Sequence, residues 1–162
     1  MEKGLNSYYS LAADDLLYAK TLLTAMESSN KFNGVASLCS QSAEKFMKAF
    51  LEGTCKDINI SLLKSHNLKR LLKEIKTIAP ACNLSEKEYK WLGDFYFEAR
   101  YPGDDFTVVT LEEARDCIRL VKELKNWVDV NAPGERIPPT SGLKKLSELK
   151  ETSYLDKRKD TR

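Results

Sequence analysis

The sequence predicts an all-α protein, an up-and-down bundle of four long helices plus one shorter helix. Three observations carry that prediction. Apolar residues recur at three- and four-residue intervals in five successive stretches, and no convincing period-two run appears between them. Gly and Pro are scarce before residue 100, which leaves few places for the chain to turn. Two Ser/Thr-x-x-Glu segments mark where helices begin. Helices with one apolar stripe and a charged outer face bury their stripes against one another, and short connections make neighbours antiparallel.

The first helix is expected from about Leu5 to Glu27, with Leu5, Tyr8, Ala12, Leu16, Ala19, Leu22, Leu23 and Met26 on one side, and Ser28-Ser29-Asn30 ends it. A second runs from about Asn33 to Glu52 behind Phe32, Val35, Ala36, Cys39, Ala43, Phe46 and Phe50. Gly53 stands where a C-terminal cap belongs. Residues 54–65 read as a polar connection. The shorter helix starts near His66 or Asn67, turns Leu68, Leu71, Leu72, Ile75 and Ile78 inward, and stops before Pro80. Ser85 and Glu88 form a capping box for the fourth helix, which carries Tyr89, Leu92, Phe95, Tyr96 and Ala99 and ends at Pro102. Thr110 and Glu113 form another for the fifth, along Ala114, Cys117, Ile118, Val121, Leu124 and Val128. Residues 1–130 thus read as the bundle. Residues 131–162, polar and broken by three prolines, read as a flexible basic extension with one short helix near Leu143–Glu151.

Charge narrows the function classes. The tail holds 8 Lys/Arg and 5 Asp/Glu out of totals of 26 and 24, so the body is close to neutral and has no broad basic field for a phosphate backbone. Lys144, Lys145, Lys157, Arg158 and Lys159 in the tail read as a solvated charge run. Cys39, Cys55, Cys82 and Cys117 form no C-x-x-C pair and are not near His66, so they read as reduced, buried thiols rather than a zinc site, and no metal or other cofactor is implied. The N-terminus carries acids and no apolar signal core, and no apolar run reaches membrane-spanning length. A cytoplasmic protein without a membrane partner is expected.

Several ordered pieces are similar to the bacterial and archaeal HEPN domain (higher eukaryote and prokaryote nucleotide-binding). They are Tyr8, Leu11-Ala12, Asp15-Leu16 and Ala19; then Gln41-Ser-Ala-Glu44-Lys45-Phe-Met-Lys48; then Ser65-His66-Asn67-Leu68. Tyr96-Phe-Glu-Ala99-Arg100-Tyr101-Pro102 and Thr110-x-Glu-Glu-Ala114 complete the set. The Ala-Arg-Tyr-Pro motif points to one branch of the family. The resemblance covers about residues 5–130. It implies a commonly dimeric bundle associated with nucleotides or RNA, and a nucleotidyltransferase as partner. Other members are toxin ribonucleases with an Arg-x4–6-His motif. Here the residues after Arg100 include Asp105, Phe106 and Thr107, and the sole histidine lies upstream, so that motif is absent and its general acid or base is missing.

The ligand-binding candidates are Arg100, Tyr101, His66, Lys45, Lys48, Glu44 and Tyr96; no catalytic residue is assigned. Arg100, at a helix end before a Pro-Gly turn, reads either as a phosphate fork or as a helix-end cation paired with Asp104 or Asp105. His66 reads foremost as support for a helix start or a loop-to-core hydrogen bond, and alternatively as a contact to phosphate or base. Gln41, Glu44, Lys45 and Lys48 read foremost as a solvated face with one surface ion pair, Glu44 to Lys48, and alternatively as a ligand- or subunit-facing strip. Phe95 and Tyr96 fit the core stripe, whereas Trp91, Phe97 and Tyr101 fall partly off it and suit a dimer contact. The expected function is a non-catalytic nucleotide- or RNA-associated module, homodimeric, acting with a nucleotidyltransferase. The alternatives are a variant ribonuclease toxin using Arg100 and His66, and a structural protein-interaction domain.

Overall fold

The computed structural model describes residues 7–55 and 57–132, and every regular element among them is a helix. In chain order these are α1 (Tyr8–Met26), α2 (Asn33–Thr54), α3 (Ile60–Leu63), α4 (Leu68–Ile78), α5 (Glu86–Glu98) and α6 (Leu111–Asn131). The predicted bundle is present, with one addition. The connection after α2 contains a helical turn, α3, started by the Asn59 side chain accepting from the Ser61 amide at 2.9 Å. Four residues are too few to show a helical period, so only the cap could have revealed it. The expected tail helix near Leu143–Glu151 lies outside the described residues.

Of the six helices among the described residues, five start at a side-chain cap, and α2, preceded by Phe32, does not. Ser7 caps α1 through the Ser10 amide, Asn67 caps α4 through the Arg70 amide, and Ser85 caps α5 through the Glu88 amide. The box at Thr110 is reciprocal: its hydroxyl accepts from the Glu113 amide at 3.1 Å, and the Glu113 carboxylate accepts from the Thr110 amide at 2.9 Å. The box expected at Ser85 is only half made, because the Glu88 carboxylate pairs with Arg119 of α6 instead. The break after α1 uses Asn30 in the left-handed region at φ 55°. Gly53 does not end α2. The helix runs through Thr54, whose hydroxyl donates to the Phe50 carbonyl at 2.7 Å, and Cys55 turns extended.

α2 is the central element, packed against α1, α4, α5 and α6. Val35, Ala36, Cys39, Ala43, Phe46, Met47, Phe50 and Leu51 make up its apolar share of the core. Polar threads cross the packing: Ser42 donates to the Ala12 carbonyl of α1 at 2.7 Å, and the buried Tyr89 hydroxyl donates to the Leu120 carbonyl at 2.7 Å. A Cβ at Gly93 would stand 3.2 Å from the Leu68 side chain, so glycine is what lets α5 lie close to α4. Cys39, Cys82 and Cys117 are buried free thiols as expected, while Cys55 is half-buried. Burial pushes the Cys39 thiol up to about 12 and raises Cys117 as well. No helix among the described residues is long and apolar enough to cross a membrane.

Candidate ligand-binding site

Glu44 is the anchor. It lies on α2, 8 % exposed, with Lys48 one turn further on at 3 %. Neither is solvated, which corrects the expectation of a surface face. A helix enclosed by four others has little outer face, so its polar residues are buried with partners from elsewhere in the fold. The Lys48 ammonium donates to Glu44 Oε1 at 2.6 Å and stands 5.8 Å above the Tyr8 ring of α1. Burial, and then the negative charges of Glu52 and Glu44, push the Tyr8 phenol above its ordinary range.

The second Glu44 oxygen reaches His66, with Oε2 3.0 Å from Nδ1. A carboxylate only accepts, so Nδ1 carries a proton and Nε2 is directed away from the carboxylate. His66 lies in the segment between α3 and α4. The cap of α4 belongs to Asn67, and His66 makes the loop-to-core hydrogen bond instead, to Glu44 of α2.

The imidazole stacks on Tyr96 of α5, with centroids 4.8 Å apart and planes 15° from parallel. Tyr96 is therefore half-buried site surface and not core, whereas its neighbour Phe95 is core as expected. Arg100, in the turn after α5, places its guanidinium carbon 5.1 Å from the Tyr96 centroid and 5.5 Å from that of Tyr101. Among the described residues no carboxylate lies within ion-pair distance of it, and the pairing with Asp104 or Asp105 is not made. Among the described residues its guanidinium donors have no hydrogen-bond acceptor.

The turn itself is held by a residue that the sequence gave no reason to single out. Asn33, at the start of α2, donates from Nδ2 to the carbonyls of Ala99 at 3.2 Å and Thr107 at 2.7 Å. Its Oδ1 accepts from the Val109 amide at 2.9 Å. One amide thus staples both ends of the Arg100 segment to α2. An asparagine at a helix start reads first as a cap, which is why its long-range role was not visible.

The structure brings together Glu44, Lys48, His66, Tyr96, Arg100 and Tyr101. It does not bring Lys45 with them. Lys45 pairs at 2.5 Å with Asp15 of α1, a carboxylate 9 % exposed. Lys45 and Lys48 are three positions apart, but the two ammonium groups bind carboxylates on different elements. Phe97 and Tyr101, 62 % and 53 % exposed, extend the aromatic surface outward, while Trp91 packs against the core and edge-on to Phe95.

The class defined by these features is an all-helical bundle with a polar and aromatic site where α2, the α3–α4 segment and the end of α5 converge. Residues 6–131 match the family model of the HEPN domain, and the chain belongs to that family, which is associated with nucleotides and RNA. No curated protein and no solved structure matches the chain.

Proposed function

We propose that this chain is a non-catalytic HEPN module, of the branch marked by Ala99-Arg100-Tyr101-Pro102, that binds a nucleotide or a short stretch of RNA in the cytoplasm. The observation that supports it most is the Arg100 guanidinium, resting on two tyrosine rings with no ion-pair partner among the described residues. A planar cation with free donors forks onto a phosphate, and an adjacent exposed ring such as Tyr101 stacks a base. His66 offers Nε2 to the same ligand, and Glu44 with Lys48 fixes its orientation. Lys45, committed to Asp15, is left out of the contact. Calorimetric titration with ATP, GTP and an eight-nucleotide RNA tests this. At least one should bind, and Arg100→Ala should weaken it about ten- to a hundredfold, the worth of a charge-assisted hydrogen bond. Absence of heat from all three, or equal affinity in the variant, removes the reading.

The module acts as a homodimer and beside a nucleotidyltransferase. The exposed Phe97 and Tyr101 support the first, and family membership alone supports the second. An adjacent gene for a small nucleotidyltransferase, with co-purification of its product, is the expected result; a partner of another kind replaces that part.

One observation favours a second reading, a variant ribonuclease. The Glu44–His66 contact is the arrangement that prepares an imidazole as general base, and Arg100 meets the same Tyr96 ring. Nε2 would take the proton of a ribose 2′-hydroxyl as its oxygen attacks phosphorus. The 5′-oxygen would leave and gain a proton from water, while Arg100 holds the non-bridging oxygens. Cleavage of labelled RNA in EDTA that His66→Ala abolishes supports this reading, and intact RNA under the same conditions ends it.

A further inference from the structure

Away from the Arg100 cluster's residues, α1 and α6 meet only sparsely and leave an open cavity of about 340 Å³ between them. Leu16 and Leu17 form an apolar floor, and Lys20 of α1 faces Lys122, Lys125 and Asn126 of α6 across it. Lys122 and Lys125 are three residues apart and so share a helix face. Of the three ammonium groups only Lys125 has a carboxylate, Asp129 at 2.6 Å. Lys20 and Lys122 have none among the described residues. Desolvation first, and then the positive charges of Lys122 and Lys125, push the Lys20 ammonium below its ordinary range, so the three groups share one field. Like charges gathered at a cavity without matching acids are costly unless an anion relieves them.

We propose that this cleft binds a phosphate monoester carrying a small apolar or aromatic group. The volume falls at the lower end of small-molecule sites, roughly 300–1,000 Å³. Two ammonium groups without carboxylates match the two charges of a monoester, and lysine binds phosphate as a point charge. The ester's organic part covers Leu16 and Leu17, and the Asn126 amide supplies a polar contact at the rim. This site shares no residue with the Arg100 cluster and does not depend on the reading given to that cluster.

Phenyl phosphate is the probe, titrated into the full chain while backbone amide NMR shifts are followed. Shifts should concentrate at residues 13–20 and 122–126. In the Lys20→Gln/Lys122→Gln variant the shifts at residues 13–20 and 122–126 should titrate at least tenfold more weakly at unchanged thermal midpoint. Inorganic phosphate should bind more weakly, because it leaves the floor uncovered. No shifts at residues 13–20 and 122–126, affinity at those residues unchanged in the lysine variant, or inorganic phosphate binding there as tightly as phenyl phosphate would each overturn the proposal.

Discussion

Glu44 serves two partners of different kinds: an enclosed ammonium and a half-exposed imidazole that meets solvent. Removing the carboxylate therefore does two things at once. Glu44→Ala leaves Lys48 buried without its counter-charge, which costs about 3–5 kcal/mol. Guanidinium unfolding checks that loss, and a cost below about 1 kcal/mol, the range of an exposed pair, would show that the pair is effectively solvated. The same change frees His66, so ligand affinity should fall even when measured well below the unfolding midpoint. Cys39 makes a second prediction at this scale. Its thiol is raised from 9.0 to about 12 by burial, so the folded state holds the proton more tightly than the unfolded chain does. The stability this represents is fully present below pH 9 and drains as pH rises toward 12. Cys39→Ala should therefore flatten the decline of unfolding free energy between pH 9 and 11.5, and parallel slopes in the two proteins would assign the decline to other groups. Iodoacetamide at pH 8 should label half-buried Cys55 first, read by peptide mass spectrometry.

Two kinds of restraint operate on the helices, local caps and long-range staples. The Thr110 box stabilises α6 within one turn, and Thr110→Ala should cost about 1 kcal/mol with no effect on the site. Asn33 acts across more than sixty residues of chain, with three hydrogen bonds from one side chain. Asn33→Ala should cost about 2 kcal/mol, within the range for leaving buried partners unsatisfied. Its diagnostic effect is local: hydrogen exchange at the Val109 amide should accelerate, and the Arg100 turn should loosen before the bundle unfolds. Exchange that speeds up only with global unfolding would mean the turn is held by its own backbone bonds, such as the Thr107 amide to the Glu98 carbonyl at 2.8 Å.

For the whole molecule, the exposed aromatic surface beside the site bears on assembly. Phe97, Tyr101 and Phe106 all stand open on the α5 end and the loop after it. In a homodimer that buries them, sedimentation equilibrium should report two chains at micromolar concentration, and Phe97→Asp should shift the protein to one. A native chain that sediments as one across that range removes the dimer. If the dimer contact also forms part of the ligand site, the same variant should weaken nucleotide binding. Unchanged affinity would assign the site to a single chain.

The sequence by itself determined the five longer helices, the capped starts at Ser85 and Thr110 and the apolar stripes, because hydrogen bonding within a turn and the 3.6-residue repeat are local. It also placed Glu44, His66, Tyr96 and Arg100 among the candidates, through ordered motifs shared with the HEPN family. Only the tertiary structure decided which polar side chains are buried and which find partners on other elements. Lys45 and Lys48 are three positions apart on α2, yet one reaches across to Asp15 of α1 and the other stays within α2 on Glu44. Enclosure likewise turned an apparent surface ion pair into a buried one, and brought Tyr96 to His66 and Arg100 instead of the core. Periodicity reports which face of a helix is apolar. Whether the opposite face meets water or another helix depends on how many neighbours the helix has, and that is a property of the assembled bundle.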